Sequence, residues 1–380
     1  MKYFLCRSLI LNLHLKLNLM LILLLFSSCR KDEPCPTCPP NNTADTTSHE
    51  FVWTIDTLGD GNISTLNDVA IINDTLAYAV GEIYLKDSAG QIDPVDYNFA
   101  KWNGKKWSSH RVPLQLYNFD CTVAGSYFGV TRAIFTFGNG TVVFTDGEDV
   151  VLYNGSSFSH LPCSNAARTG GFLKFWGPSL NNLYGVGSNG CISYYNGTSW
   201  QKLENGTTVD LLDVWGSPRG TVWAVGYKDF VGTVLLKVAG NVVEPVYDDN
   251  LNWFTIRNDS LSGVLTSVWT NSDEKVYAVT PAGLYECPSS THGDGKRNWF
   301  NNTFSPGFPN RVRGQGANDI FVIGDFSFLA HFNGKSWHWY QEIGGSVRWH
   351  SVAMRGDLVI GVGVDVSNIF NRGVVAIGKR

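Results

Sequence analysis

A pair of short apolar strands recurs seven times between residue 51 and the C-terminus. The clearest copy has Leu212-Asp213-Val214-Trp215-Gly216 followed by Val222-Trp223-Ala224-Val225-Gly226. The seven copies align on the first apolar residue: Val69, Ile134, Phe175, Val214, Val268, Val312 and Val352. The matching residue of the second strand lies eleven positions later in six copies and ten later in the last. Copies spaced 39 to 65 residues apart, each with room for four strands, are typical of β-propeller blades, which are stable only between neighbours.

Four Asn-Gly pairs mark where a third strand turns into a fourth. They are Asn103-Gly104, Asn154-Gly155, Asn196-Gly197 and Asn333-Gly334. Asn-Gly supplies the positive φ angles of a tight hairpin turn. Trp107, Phe158, Trp200 and Trp337 each follow three residues after the glycine. We expect these aromatic residues to open the outermost strand of their blades.

The two ends of the repeat region predict a closed ring. The last copy has sequence for three strands, and the segment 51–55 is a lone strand that precedes the first copy. Trp53 lies sixteen residues before Val69, close to the fourteen that separate Trp200 from Val214. We therefore predict an all-β propeller of seven four-stranded blades, closed by the N-terminal strand.

The Trp-Gly and Ala-Val-Gly copies resemble those of bacterial exported β-propeller repeat proteins, distantly kelch- or sialidase-like in architecture. The resemblance implies a propeller. It implies no activity, because propellers carry many unrelated functions.

The first 28 residues have the features of a signal peptide. Lys2, Arg7 and Lys16 give a positive start, and residues 17–26 form an apolar run that is too short to span a bilayer. The run ends in Phe26-Ser27-Ser28-Cys29, which resembles the lipobox that precedes an acylated cysteine. We predict lipidation of Cys29. An ordinary secretory signal with an incidental cysteine is the alternative.

Residues 29–50 are predicted to be a lipid-anchored tether, and residues 51–380 the propeller domain. Arg30-Lys31-Asp32-Glu33 looks like the surface-export signal of some gram-negative lipoproteins, with a plain solvated tether as the alternative. The following prolines and polar residues cannot bury a core. We expect an exported protein that the lipid anchors to a membrane, with the outer membrane and the cell surface as the expected location.

Composition and motifs favour binding over catalysis. The formal net charge of -4 gives no broad basic footprint, so we expect no nucleic-acid partner. The sequence has no His-x-x-x-His metal spacing, no Gly-x-Ser-x-Gly turn and no phosphate loop, and we predict neither a metal nor a cofactor. An enzyme would need convergent carboxylates in the central funnel, for which the candidates are Asp146, Glu148, Asp149 and Asp325.

The cysteines are informative about the cellular compartment rather than about catalysis. Cys121, Cys163, Cys191 and Cys287 lie in the folded region, and three pairings of them are open. Cys35 and Cys38 could form a small disulfide in the tether.

Enlarged loops are predicted to carry the binding site. In a propeller the loop between the second and third strands and the link between blades emerge on the same face, where insertions commonly bind ligands. The residues predicted to bind are Glu82, Tyr84, Asp93, Asp96, Tyr97, Tyr117, Phe119, Tyr227, Asp229 and Phe370. The alternative is that these loop aromatics pack on the rim of the propeller.

These observations predict a non-enzymatic, surface-exposed binding or protein-interaction module whose ligand is a glycan or a protein. A glycan-acting enzyme of the glycosidase or lyase type, with its site in the funnel, is one alternative. A structural component of an envelope complex is the other.

Overall fold

The computed structural model describes residues 46–60, 63–250, 255, 257, 259–298, 308–367 and 371–380. The predicted signal peptide, Cys29, Cys35, Cys38, most of the tether and Phe370 lie outside the described residues. The described part contains seven four-stranded antiparallel sheets arranged as a β-propeller, which confirms the predicted fold class.

The strands follow one another blade by blade, after a first strand Val52–Leu58 (β1) that belongs to blade seven. Blade one contains Thr65–Asn73 (β2), Leu76–Ile83 (β3), Tyr97–Trp102 (β4) and Trp107–His110 (β5). A hairpin of Leu114–Tyr117 (β6) and Val123–Tyr127 (β7) leads to blade two. Blade two contains Ala133–Thr136 (β8), Val142–Thr145 (β9), Val150–Tyr153 (β10) and Phe158–His160 (β11). A short helix, Asn165–Gly170 (α1), precedes blade three.

Blade three contains Phe172–Ser179 (β12), Asn182–Gly187 (β13), Ile192–Tyr195 (β14) and Trp200–Lys202 (β15). Blade four contains Asp210–Gly216 (β16), Val222–Lys228 (β17), Gly232–Ala239 (β18) and Val242–Asp249 (β19). Blade five contains Ser267–Trp269 (β20), Lys275–Thr280 (β21), Gly283–Pro288 (β22) and Lys296–Arg297 (β23). Blade six contains Pro309–Gly316 (β24), Asp319–Gly324 (β25), Leu329–Phe332 (β26) and Trp337–Trp339 (β27). After a 3-10 turn, Gln341–Ile343, blade seven contains Val347–Arg355 (β28), Leu358–Asp365 (β29) and Arg372–Lys379 (β30).

The innermost strand of every blade runs in the same sense along the ring axis. We call the end at which these strands begin the funnel face. Because the strands of a blade alternate in direction, the connection from second to third strand and the link to the next blade both lie at the funnel face. The turns between the first and second strands, and between the third and fourth, lie at the opposite face.

The N-terminal strand closes the ring as predicted. Strand β1 pairs with β30 along its whole length, from Val52 opposite Lys379 to Leu58 opposite Gly373. This strand is therefore the outermost strand of blade seven. Blade seven is thereby completed by strands from both ends of the folded region.

Residues just before β1 add contacts to blade six. The ring of Phe51 packs edge-on against Phe321, 5.3 Å between centroids. The Tyr340 hydroxyl donates to the carbonyl of His49 at 2.8 Å, and the Nδ1 atoms of His49 and His331 lie 2.9 Å apart. The N-terminal segment thus joins blade six as well as blade seven.

The Asn-Gly turns are confirmed in position but differ in type from the prediction. The φ angles of Gly104, Gly155, Gly197 and Gly334 are 88°, 96°, 94° and 92°. The asparagines keep negative φ, so these are not two-residue turns with both residues left-handed. Instead the side-chain oxygen of Asn103 accepts hydrogen bonds from the amides of Lys105 and Lys106, and the other three asparagines do the same. Trp107, Phe158, Trp200 and Trp337 open the fourth strands as predicted.

The Trp-Gly pairs fit neighbouring blades together. A Cβ atom at Gly216 of blade four would overlap the ring of Trp176, which projects from blade three. The same relation holds between Gly314 of blade six and Trp269 of blade five, where the Cβ would come within 2.8 Å of the ring. The glycine of one copy therefore makes room for the tryptophan of the copy before it.

A single disulfide forms among the four cysteines of the folded region, so none of the three complete pairings is present. Cys121, in the β6–β7 hairpin, forms a disulfide with Cys163, just before α1. Cys191 and Cys287 are free and buried, in blades three and five. Within the described ranges, no helix has the length and apolar character needed to cross a membrane.

Replacing Gly216 by alanine tests the inter-blade fit. The added methyl meets the buried Trp176 ring, and we expect Gly216→Ala to lower the free energy of unfolding by about 1–3 kcal/mol. Gly125→Ala is the control, because a Cβ there meets nothing within 4 Å, and it should stay within about 0.5 kcal/mol of wild type. Urea denaturation measures both. Equal stability of the two variants would contradict the packing role of the Trp-Gly pair.

Candidate functional site: the central funnel

A β-bulge recurs at the same place in the innermost strand of five blades. The pairing with the second strand skips one residue in blades one, three, four, six and seven: Asn67, Leu173, Leu212, Asn310 and His350. A bulge interrupts the alternation of a strand and re-aims side chains. As a result, two successive residues of each bulged strand contribute to the channel along the ring axis.

The second of these two positions builds a buried layer across the channel. It is the residue immediately before each aligned apolar residue, and the seven are Asp68, Ala133, Lys174, Asp213, Ser267, Arg311 and Ser351. Apart from the largely buried Arg311, every member is buried. Ion pairs and hydrogen bonds across the axis therefore replace the apolar packing found between blades.

Asp68 joins blades seven, one, two and three. Its carboxylate accepts a hydrogen bond from Lys174 Nζ at 2.5 Å and one from Ser351 Oγ at 2.6 Å. It also accepts from the backbone amide of Ile134 at 2.8 Å and from that of Val69 at 3.0 Å. A single side chain thus bonds to four consecutive blades.

Asp213 does the same for blades four, five and six. Arg313 binds it with two nitrogens, at 2.8 and 2.9 Å, and Arg311 Nη1 lies 2.7 Å from Oδ1. The Ser267 hydroxyl and the amide of Val268 donate to its other oxygen. Arg313 also stacks over the Trp215 ring, 4.4 Å from the centroid.

The charged side chains of the layer stabilise one another's ionised forms. Burial by itself would raise the pKa of Asp68, but Lys174 and Arg311 hold it below the usual value. Burial likewise opposes ionisation of Asp213, and its two arginines hold its pKa far below the usual value. Burial lowers the pKa of Lys174 to about 8, so its ammonium is still charged at pH 7. Together with Arg313, which lies just beyond the layer, three cations share two carboxylates, and this leaves one positive charge in excess.

Above this layer a cavity of about 580 Å³ opens at the funnel face. Its lining comes from every blade: Thr65, Asn67, Val130, Arg132, Leu173, Leu212, Tyr227, Thr266, Asn310, Arg311, Asp325, Arg348 and His350. Seven of these are the residues two positions before the aligned apolar residues, which in five blades are the bulged residues themselves. We call this cavity the funnel.

Cations dominate the funnel. Arg132, Arg311 and Arg348 line it, against one carboxylate, Asp325. Asp325 lies 3.5 Å from Arg348 Nε and accepts a hydrogen bond from Asn310 at 2.9 Å. The pKa of His350 is lowered by burial, so its imidazole is neutral at pH 7.

The carboxylates considered for catalysis do not meet in the funnel. Asp325 alone of the four lines it. Asp149 is fully buried and binds Tyr117 and His160 at 3.1 and 2.8 Å. Asp146 and Glu148 line a separate cavity of about 370 Å³ near α1, where Asp146 accepts a hydrogen bond from Tyr127. Within the described ranges no group of three or more His, Cys, Asp or Glu side chains could hold a metal ion.

The predicted residues of the blade-one loop are brought together, but largely by one another. The Tyr84 hydroxyl donates to Glu82 at 2.6 Å. Arg111 forms an ion pair with Asp93 at 2.6 Å and lies over the Tyr97 ring, 4.1 Å from its centroid. These contacts order the loop beside blade one rather than in the funnel.

Two further predicted residues are buried. Burial raises the pKa of Asp96, and nearby Glu82 adds to this. The Tyr117 hydroxyl donates to Gln115 and Asp149, which anchors the β6–β7 hairpin. Their contacts are those of packing, and a binding role for either stays a prediction.

The remaining predicted residues lie nearer solvent. Phe119, at the tip of the β6–β7 hairpin, is 92% exposed. Asp229 and the neighbouring Phe230 are exposed and have φ angles of 54° and 59°, a conformation that few non-glycine residues adopt. Of the predicted binding residues that the structure describes, Tyr227 alone lines the funnel.

The funnel face carries most of the exposed apolar side chains. Sixteen large apolar residues are exposed within the described part of the chain, and twelve of them lie in connections at the funnel face. The twelve are Ile63, Val95, Leu116, Phe119, Val123, Tyr127, Phe128, Val130, Phe230, Val231, Phe326 and Val366. A concentration of exposed apolar side chains on one face is a feature of interaction sites.

Sequence reasoning named Tyr227 and Asp325, which line the funnel, but missed its other residues and the layer below it. A signal for the layer is present in the alignment, because Asp68, Lys174, Asp213 and Arg311 are charged residues directly before the aligned apolar position. Charged residues are almost never fully buried unless paired, so this position predicts an ionic contact across the axis.

Removal of one central charge tests the layer. Asp213→Asn leaves Arg311 and Arg313 buried without a counter-ion, and we expect the free energy of unfolding to fall by about 3–5 kcal/mol. Asp357→Asn is the control, because Asp357 is 71% exposed and pairs with Arg380 at the surface, where such pairs contribute about 0–1 kcal/mol. Chemical denaturation compares the two. A loss at Asp213 no larger than the loss at Asp357 would contradict a stabilising layer.

Comparison with known proteins shows the architecture. No protein-family model matches the chain, and no curated protein matches it. The solved structure of YCF48 bound to D1 peptide is 13% identical, with a TM-score of 0.60 over 86% of this chain and 97% of the other. YCF48 from Cyanidioschyzon merolae is 12% identical, with a TM-score of 0.54 over 86% and 98% of the two chains. At these identities the likeness shows the β-propeller fold alone.

Proposed function

We propose that the chain is a non-enzymatic binding module that holds a polypeptide partner on its funnel face. The observation that carries the proposal is the asymmetry of the exposed apolar side chains, twelve of sixteen of which lie at that face. A monomeric surface spreads such residues singly, whereas a recognition surface concentrates them.

The backbone of the funnel face supports the same proposal. Phe230 and Phe326 stand in equivalent loops, between the second and third strands of blades four and six, and both have positive φ. Non-glycine residues in this conformation cost free energy and cluster at ligand-binding loops. Exposed phenylalanines held in this way suit contact with a partner.

The β6–β7 hairpin extends the surface. All five residues of β7 are exposed, and the Cys121–Cys163 disulfide ties the hairpin to the link before blade three. A hairpin held by a covalent bond loses less entropy when it binds, which is the advantage of preorganisation.

The chemistry of the funnel favours a polypeptide over a neutral glycan. Three arginines line the cavity against one carboxylate, and exposed apolar side chains lie in the loops of the same face. An acidic, partly apolar polypeptide complements both features. The solved YCF48 structure with a bound D1 peptide gives a precedent for peptide binding by a propeller of this architecture.

We also propose that the protein is exported and held at a membrane by a lipid on Cys29, with the outer membrane and the cell surface as its location. The signal-like first 28 residues and the lipobox-like segment before Cys29 support this. The Cys121–Cys163 disulfide fits the same proposal, because disulfides persist in oxidising compartments.

Peptide selection on the intact protein tests the binding proposal. The detergent-solubilised full chain is immobilised, and random phage-displayed peptides are enriched on it. We expect the enriched peptides to lose affinity roughly 30-fold or more on Phe326→Ser, the scale of an aromatic hot spot. Val242→Ser is the matched control, because Val242 is 69% exposed and Phe326 is 66% exposed, but Val242 lies at the opposite face.

A glycan array probed with the same preparation separates the two ligand classes. Enriched peptides that bind both variants equally would refute the funnel face as the site. Saturable binding to glycans, with no enriched peptide, would refute a polypeptide ligand.

The anchor has its own test. An acyl chain contributes about 0.8 kcal/mol for each buried methylene, so Cys29→Ala should move the protein from the membrane fraction to the soluble fraction. Ser28→Ala, which keeps a small residue before the cysteine, should stay with the membrane. Immunoblotting of the two fractions gives the result, and membrane association of the Cys29 variant would contradict the lipid anchor.

A further inference from the structure

We infer that the floor of the funnel is a receptor for a single carboxylate of the bound polypeptide, held by Arg311 with Arg348 and Arg132 above it. The inference rests on the proposed polypeptide-binding function and names the group that enters the funnel.

The first argument is an unsatisfied donor. Arg311 uses Nη1 toward Asp213 and toward the carbonyl of Leu212. Its Nε atom is buried and has no hydrogen-bond partner among the described residues. A buried N–H without an acceptor is costly, and native proteins rarely keep one without a reason. A carboxylate oxygen at the floor would satisfy it after a shift of the Arg311 side chain toward the funnel, because the Nε atom itself is not accessible to solvent.

The second argument is charge. Lys174, Arg311 and Arg313 pair with only two carboxylates, those of Asp68 and Asp213, so this network carries one uncompensated positive charge in a buried setting. A monoanion at the floor balances it. Charge-assisted hydrogen bonds from a guanidinium are among the stronger ones, and Arg matches the planar shape of a carboxylate.

The third argument is the wall of the funnel. Arg348 is 57% exposed and has one long ion pair, 3.5 Å to Asp325. Arg132, at the start of blade two, lines the same cavity two blades further along the ring and makes no ion pair with a described residue. Both guanidinium groups are thus available to an anion that passes between them, and they draw it toward Arg311.

The carboxylate can belong to an acidic side chain or to a chain terminus. Both share the same chemistry, and probes distinguish them. Acetyl-Gly-Asp-Gly amide presents a side-chain carboxylate, acetyl-Gly-Gly a terminal one, and acetyl-Gly-Asn-Gly amide none. Inorganic phosphate is the fourth probe.

The test follows the arginine Nε–H signals of the intact, 15N-arginine-labelled protein by NMR during titration with each probe. Arg311→Lys identifies the Arg311 signal by its loss. We expect a saturable shift of this signal with one or both carboxylate peptides and none with the Asn peptide. Arg348→Gln should weaken carboxylate binding about tenfold, the effect of one charge-assisted hydrogen bond.

Arg219→Gln is the matched control and should leave the affinity unchanged. Arg219 also has one exposed ion pair of 3.5 Å, to Asp273, but lies at the opposite face. If Arg311→Lys fails to fold, the comparison of Arg348→Gln with Arg219→Gln decides on its own, from the affinities measured on all shifting signals.

Three results would overturn the inference. They are an equal response to the Asp and Asn peptides, equal affinities in the two glutamine variants, and a response to phosphate alone. If peptides bind the funnel face equally well with and without Arg348, the carboxylate receptor is refuted and the proposed function still holds. If carboxylate probes shift the Arg311 signal but no polypeptide is retained, the proposed polypeptide-binding function is refuted instead.

Discussion

The buried carboxylates of Asp68 and Asp213 hold the centre of the propeller together. Asp68 bonds to blades seven, one, two and three, and Asp213 to blades four, five and six. Apolar packing elsewhere mainly joins each blade to its neighbours, as in the Trp176–Gly216 contact, although Phe135 of blade two also meets Trp215 of blade four, 6.5 Å between ring centroids. The ionic layer connects blades across the axis through buried charges. The pairing within this layer also determines which charged groups are left to bind a ligand in the funnel above.

The repeated β-bulge couples stability to binding. It lets one residue of each inner strand join the layer and the residue before it face the funnel. Arg311 belongs to both, since its Nη1 contacts Asp213 while its Nε is left without a partner. An anion in the funnel would therefore act on the same guanidinium that stabilises the ring. Burial raises the cost of leaving that charge uncompensated.

The fold was largely predictable because it depends on spacing that is repeated. Seven aligned apolar positions predicted seven blades, and Trp53 predicted the closing strand β1. The Asn-Gly positions were predicted, but the Asx hydrogen bonds that shape those turns depend on local geometry. The arginines of the funnel and the ionic layer below it were not predicted, because two-residue alternation gives one inward side chain where the bulge gives two. Loop tyrosines such as Tyr84 and Tyr97 predicted a binding site. In the structure, the Tyr84 hydroxyl donates to Glu82 and Arg111 lies over the Tyr97 ring.

A double-mutant cycle on Asp68 and Lys174 tests the central claim most directly. The two side chains lie in blades one and three, 2.5 Å apart, and are buried. Urea denaturation of Asp68→Asn, Lys174→Met and the double variant gives their coupling free energy. If the ionic layer joins blades across the axis, the coupling is favourable by about 1–3 kcal/mol. Single-variant losses that simply add, within about 0.5 kcal/mol, would show that the blades hold together without it.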